Sequence, residues 1–332
     1  MKRFLGFMLL LLTLNACDDG DFDIESFDFS EGSSNQCNSG VSGFFIYKIN
    51  SNEVLLIQIP EINFVNEITD PDSPRTVAIT STNKVIYRIY NGTLTTSDIC
   101  TTIPPATPVV IEEWSAVSGT IEIQTNVNKT INATLNSSII TGYTHTIVLR
   151  NVNFLKGNGN QQLYQTLSFG NYVTSATQPA NFAGFTINPC GNNYSFTYKI
   201  SGRQTLTFAI DSNLFQPVVT PEDTPITTLL NESNRLQLNF YNDNVNDDFV
   251  CSATPLTYPV LQQKWISDNG EAGVSGMIEV RTFEEYEIPT DNLSPLVGYR
   301  HKVTFKKVTM SRDEVSFKLG DVYEFGEFVI PL

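Results

Sequence analysis

The sequence predicts an all-β protein: two tandem antiparallel β-sandwich domains, Ig-like or jelly-roll-like, behind an N-terminal leader. Three observations lead there. The body is rich in Val, Ile, Thr, Tyr and Phe and sparing of Ala, Lys and Glu, a balance that favours strands. Short alternating apolar–polar runs recur between Asn, Gly, Pro and Asp clusters, and no segment keeps a 3.6-residue apolar period long enough for a helix. The chain also repeats itself at an offset of 151 residues: Tyr47–Trp114 set against Tyr198–Trp265, without a gap, gives 18 identities in 68 positions.

The first element is the leader. Lys2 and Arg3 precede an uncharged apolar stretch, Phe4–Leu14, which is too short to span a bilayer core that needs about 20 residues. It reads as an export signal. It ends Leu14-Asn15-Ala16-Cys17, which resembles the lipobox of bacterial lipoproteins. That resemblance implies a signal peptide over 1–16 and acylation of Cys17, palmitate included. Residues 17–21 are then a short tether, and the membrane is a partner through the N-terminal lipid. More than one acyl chain is needed for stable anchoring.

"CDDGD" resembles the export tag of surface lipoproteins in Bacteroidota; in proteobacterial lipoproteins an Asp after the cysteine instead resembles an inner-membrane retention signal. The start, "CDDGD…FDF", is similar to that of flavobacterial lipoproteins. This likeness covers the leader closely and the body loosely, and it implies no activity. The expected location is the cell envelope, lipid-anchored at the outer membrane, on its surface or its periplasmic face. Net charge is −15, and −17 without Lys2 and Arg3, which argues against a nucleic-acid partner.

The repeat divides the body. Copy one is expected over 22–173, a linker over 174–181 and copy two over 182–332. Strand-like runs in copy one fall near 43–49, 53–59, 84–90, 117–125, 142–150 and 162–169, and eight or nine strands per copy are expected. "FDIESFDF" (Phe22–Phe29) matches "NFAGFTI" (Asn181–Ile187) and is the expected first strand. Past Trp265 an insertion, "SDNGEAG", interrupts copy two, after which "SGTIEIQT" from Ser118 meets "SGMIEVRT" from Ser275.

Four cysteines remain besides Cys17, and they allow three pairings. A domain that once stood alone must have closed its own bridge, so the duplication favours Cys37 with Cys100 and Cys190 with Cys251. Zinc is the weaker reading, since no Cys-x-x-Cys occurs and the chain holds two histidines.

Those histidines, His145 in "GYTHTIVL" and His301 in "GYRHKVTF", occupy the same place in both copies. They are candidate ligand-binding or acid–base residues. Strand parity favours hydrogen-bonded core-edge histidines, because Tyr143, His145, Ile147 and Leu149 share one face. That parity changes after Leu149 and after Phe305, which suggests a β-bulge in each copy.

Trp114 and Trp265 are candidate sugar-stacking residues, with a core anchor the preferred reading; exposure of a ring would favour binding. "YNDNVNDDF" (Tyr241–Phe249) has oxygen ligands suited to calcium. It lacks the glycine and distal glutamate of an EF-hand, so it reads as a solvated turn. No nucleophile motif appears, and no metal or cofactor is implied.

The expected function is therefore non-catalytic: a lipid-anchored envelope module that holds a glycan, a peptide or a neighbouring envelope protein. The rivals are a carboxylate-based hydrolase of polysaccharide or peptide and a purely structural spacer.

Overall fold

The computed structural model describes residues 28–29, 33–37, 44–101, 103, 105–191, 194–221, 223–289 and 292–332. The leader, Cys17 and the tether lie outside the described residues. Among those described, no helix is long and apolar enough to cross a membrane. The fold is nearly all β, with two antiparallel sheets in a two-domain sandwich arrangement.

Copy one contributes β1 (Asn35–Cys37), β2 (Phe45–Asn50), β3 (Glu53–Gln58), β4 (Arg75–Ala78), β5 (Lys84–Tyr90), β6 (Val110–Asn132), β7 (Ser137–Leu155) and β8 (Gln161–Ser175). Their order is β1-β2-β3-β5-β6-β7-β8, with β4 on β6. Copy two contributes β9 (Asn188–Pro189), β10 (Phe196–Ser201), β11 (Gln204–Ala209), β12 (Ile226–Leu229), β13 (Arg235–Tyr241), β14 (Leu261–Ser267), β15 (Met277–Tyr286), β16 (Leu296–Arg312) and β17 (Val315–Pro331). Their order is β12-β15-β16-β14-β13-β11-β10-β9, with β17 on β16.

The stretch of copy two that matches the expected first strand, Phe22–Phe29, is not a strand. Asn181–Ile187 forms no strand, and the Phe185 amide turns back onto the Phe182 carbonyl at 3.3 Å. Most of its copy-one counterpart lies outside the described residues, and Asp28 and Phe29 carry no strand. Gly184 lies at φ +77°, a left-handed conformation that breaks an extended run.

The single strand β6 matches β14 and β15 together, and the insertion falls between them. The bend in copy one is made at Gly119 (φ +126°) and in copy two at its equivalent Gly276 (φ +65°). Each glycine carbonyl accepts a matching amide: Ile79 N to Gly119 O at 3.0 Å, and Leu230 N to Gly276 O at 2.8 Å. A Cβ on Gly119 would stand 2.8 Å from the Val152 Cα, so no side chain fits.

The suggested parity change is present. Tyr143, His145, Ile147 and Leu149 are buried, and then Val152 and Phe154 are, with the exposed Asn151 between the two sets. Asn151 and its equivalent Lys307 both lie at φ +50°. One residue in the left-handed region turns the strand so that the next apolar side chains again face inward. Both disulfides close within their own copies, Cys37–Cys100 and Cys190–Cys251, each with Cα atoms 5.3 Å apart.

In space the chain forms two compact units. One holds the described residues up to Asn63 with Thr76–Glu122 and Ile147–Tyr172. The other holds Phe64–Arg75, Ile123–Thr146 and Val173–Leu332. The second unit therefore includes the distal part of the β6–β7 hairpin. Ile140 and Tyr143 from that hairpin are buried in one cluster with Phe240, Trp265, Phe305 and Phe317. The Lys318 amide donates to Ser138 Oγ at 2.9 Å and the Asp321 amide to the Leu135 carbonyl at 2.9 Å. The joint is tied down too: the Ala180 amide donates to Gln204 Oε1 at 2.7 Å and Gln178 Nε2 to the Ile140 carbonyl at 2.7 Å.

Gly119→Ala is expected to cost roughly 1–3 kcal/mol through backbone strain. Gly157→Ala, where nothing lies within 4 Å of the added carbon, is expected to stay within about 0.5 kcal/mol. Urea unfolding of the two variants checks this.

Candidate functional site

The histidines are structural. His145 is 0 % exposed and His301 1 %. Each Nδ1 lies 2.9 Å from a threonine hydroxyl, Thr125 and Thr282 respectively, at the same place in the repeat. Each ring also meets an equivalent phenylalanine, Phe64 at 5.5 Å and Phe215 at 5.3 Å.

In copy one the tautomer follows from the bond chain. Asn66 Nδ2 donates to the Ser175 carbonyl, which leaves Asn66 Oδ1 to accept from the Thr174 hydroxyl at 2.6 Å. Thr174 Oγ1 must then accept from His145 Nε2–H at 3.0 Å, and Nδ1 accepts from Thr125. Burial pushes both imidazoles down to about 4, helped at His145 by the charge of Arg75. Neutral, buried and hydrogen-bonded, they offer no face to a ligand.

Neither tryptophan offers a stacking platform. Trp114 is 0 % exposed and Trp265 4 %. Trp114 packs against Tyr87 at 4.9 Å under the Lys156 ammonium, 4.1 Å from the ring centroid. Trp265 packs against Phe317 at 5.2 Å under the Arg312 guanidinium at 5.0 Å. The indole nitrogens donate to equivalent partners, Glu112 and Gln263. Each ring lies on the inward side of its strand, where a large aromatic surface must be buried. The sugar-stacking reading thus has no exposed ring to rest on.

Two further matched residues are the buried lysines Lys48 and Lys199. Lys48 Nζ donates to the Phe29 carbonyl at 2.8 Å and Lys199 Nζ to the Phe182 carbonyl at 3.0 Å. Burial lowers the pKa of both. Gly170 and Gly326 in the last strand of each copy leave room for them; a Cβ on Gly170 would stand 2.5 Å from the Lys48 nitrogen. The signal was available in the sequence, since "YKI" is identical in both copies with its charge at an inward position.

The acidic loop of copy two forms a turn. Asn246 caps the short helix Asp247–Val250, and Asp247 accepts from Tyr198 Oη at 2.8 Å. Among the described residues no group of three or more His, Cys, Asp or Glu could hold a metal ion.

In copy one a cavity of about 480 Å³ opens on the outward face of β2, β3, β5 and β6, beside the loop that follows the short helix Thr96–Ile99. Strand alternation assigns the faces: Leu55, Ile57 and Tyr87 point to the core, while Leu56, Ile86 and Arg88 line the cleft. Leu56, Ile86 and Ile99 make its apolar part, and Lys84, Arg88, Asp98 and Glu113 supply charge. Arg88 Nε donates to Glu113 Oε2 at 2.7 Å.

An outward strand face normally carries polar residues. Copy two follows that rule, with Thr207, Gln237, Asn239 and Lys264 in the places of Leu56, Ile86, Arg88 and Glu113. Asn239 Nδ2 donates across the face to Thr205 Oγ1 at 3.2 Å. Phe249 stands where copy one has Asp98 and packs on Tyr241, ring to ring at 5.3 Å. Comparison with protein-family models, curated proteins and solved structures finds no match for the chain.

The histidines set a pH dependence. A folded-state value of about 4 against 6.5 in the unfolded chain means that, as pH falls below 6.5, the unfolded state takes up two protons the folded state refuses. Stability is then flat in these groups above pH 6.5. It falls on acidification towards pH 4 by up to about 1.4 kcal/mol per pH unit for each histidine. Urea midpoints between roughly pH 5 and pH 8 should show that slope, and the His145→Gln/His301→Gln pair should flatten it.

Proposed function

We propose that the chain is a lipid-anchored cell-envelope protein, held at the outer membrane through Cys17, that acts by binding rather than catalysis. Copy one is the binding domain and copy two a duplicate that lacks the site. One observation carries this reading: the outward face of copy one is apolar and concave where the same face of copy two is polar. Leu56 is already buried in the cluster beneath the cleft, and covering the half-buried Ile86 under a ligand would gain about 25 cal/mol per Å² of apolar surface removed from water. The cleft's size falls in the range of small-ligand and side-chain pockets.

The ligand class that fits is a short peptide segment. An apolar side chain would lie on Leu56 and Ile86, with backbone and polar groups meeting Lys84, Arg88, Asp98 and Glu113. A glycan fits less well, because sugar recognition favours an exposed aromatic face and both tryptophans are buried. The lipobox-like leader supports the envelope location.

Peptide-display selection against the mature chain is expected to enrich binders that compete with one another. Ile86→Glu should weaken them by about tenfold or more, the scale of losing an interface anchor. Gln237→Glu, the same place in copy two, should leave binding unchanged. Selection that yields nothing, while a glycan array does, would overturn the peptide reading.

A further inference from the structure

The second compact unit contains an interface that the repeat supplies twice and this chain uses once. Copy one presents Ile68, Ile140, Tyr143 and Ala176 at its hairpin end, and all four pack into the cluster built around Trp265, Phe240 and Phe317 of copy two. The Arg312 guanidinium, which covers Trp265, also donates to the Asn66 carbonyl at 3.2 Å.

Copy two carries its own version of that end. The equivalents of the four residues are Val219, Leu296, Tyr299 and Leu332, all apolar or aromatic. The backbone places them identically. Thr69 N bonds Thr125 O and Thr220 N bonds Thr282 O, both at 3.1 Å; Ala176 N bonds Thr141 O and Leu332 N bonds Val297 O, both at 3.2 Å. Yet none of these four is buried. Val219 is 47 % exposed, and its neighbours on this end, Val218 and Val297, are exposed as well. An end whose sister is covered by the tryptophan side of a sandwich thus stands uncovered among the described residues.

Copy one carries the corresponding surface: Lys156 stands in the place of Arg312 and Leu163 in that of Leu319. Beside them Trp114, where Trp265 stands in copy two, is buried within its own domain, so the exposed part of this acceptor is built around Leu163. Leu319 packs against the shared cluster, while Leu163 is 60 % exposed. Gln161 and Glu112 replace Phe317 and Gln263, which makes this acceptor more polar and its contact weaker than the internal one.

We propose that the hairpin end of copy two docks on the tryptophan side of copy one in a second molecule of this chain, repeating between molecules the contact that the second unit makes within one. The two faces differ, so the association is head-to-tail and, unless the rotation closes a ring, open-ended. Lipid anchoring would favour it by confining the chains to one surface.

Sedimentation velocity tests this on the full mature chain, residues 17–332, carrying Cys17→Ser to keep it in solution. The weight-average sedimentation coefficient is expected to rise with concentration. Val219→Glu on the docking end and Leu163→Glu on the acceptor should each weaken association by about tenfold or more. Both positions are exposed, and unchanged circular dichroism would verify the fold. An equimolar mixture of the two variants should form dimers and stop there, because each dimer has one spoiled face at each end. A monomer at every concentration, association that either substitution leaves intact, or a mixture that forms no dimer would overturn the proposal.

Discussion

One backbone constraint organises both copies. The long strands β7 and β16 must keep an apolar side inward along two stretches that a flat strand would turn to opposite faces. A single left-handed residue, Asn151 or Lys307, makes the correction. On one side of it lie the tyrosine, the neutral histidine and two apolar residues, Ile147 and Leu149 or Val303 and Phe305. On the other lie Val152 and Phe154, or Val308 and Met310, with the tryptophan near Phe154 in copy one. The glycine bend of β6, or its split into β14 and β15, faces the same point; a Cβ on Gly119 would strike Val152, and the Gly276 amide donates to the Lys307 carbonyl at 3.1 Å. Bulge and bend are thus one device, and the histidine–threonine bonds tie strands just beyond it.

Such a core uses polar groups as fasteners rather than as reagents. His145 bridges Thr125 and Thr174, His301 bonds Thr282, and the buried lysines hold a carbonyl of the segment that precedes each domain's disulfide cysteine. Each has a hydrogen-bond partner, which offsets part of the cost of burying it. The same satisfaction withdraws these groups from chemistry. Variation between the copies therefore collects on outward faces, where Leu56, Ile86, Arg88 and Glu113 have changed character without disturbing the layer beneath.

Much of this was legible in residue pattern. The repeat, the disulfide partners, the insertion point, the strand runs and the parity change at Leu149 and Phe305 all rest on local alternation or on an internal match, and the structure has each of them. The stretch Asn181–Ile187, matched to the expected first strand Phe22–Phe29, has aromatic spacing that imitates a strand; Phe182 is buried instead as part of the apolar cluster, and its carbonyl accepts from Lys199. The cleft was not legible. Leu56 sits in "EVLLIQI", an almost continuous apolar run in which alternation cannot tell an outward leucine from an inward one.

The sequence by itself determined the class of fold, the duplication and the pairing of its cysteines, because period, offset and covalent closure are properties of the chain. Only the tertiary structure decided which faces are covered. Whether Trp114 is platform or core, whether Ile86 lines a cleft, and whether Val219 meets a neighbour as Ile68 does depend on surfaces brought together from distant parts of the chain. Burial is a property of that assembly, and no local pattern carries it.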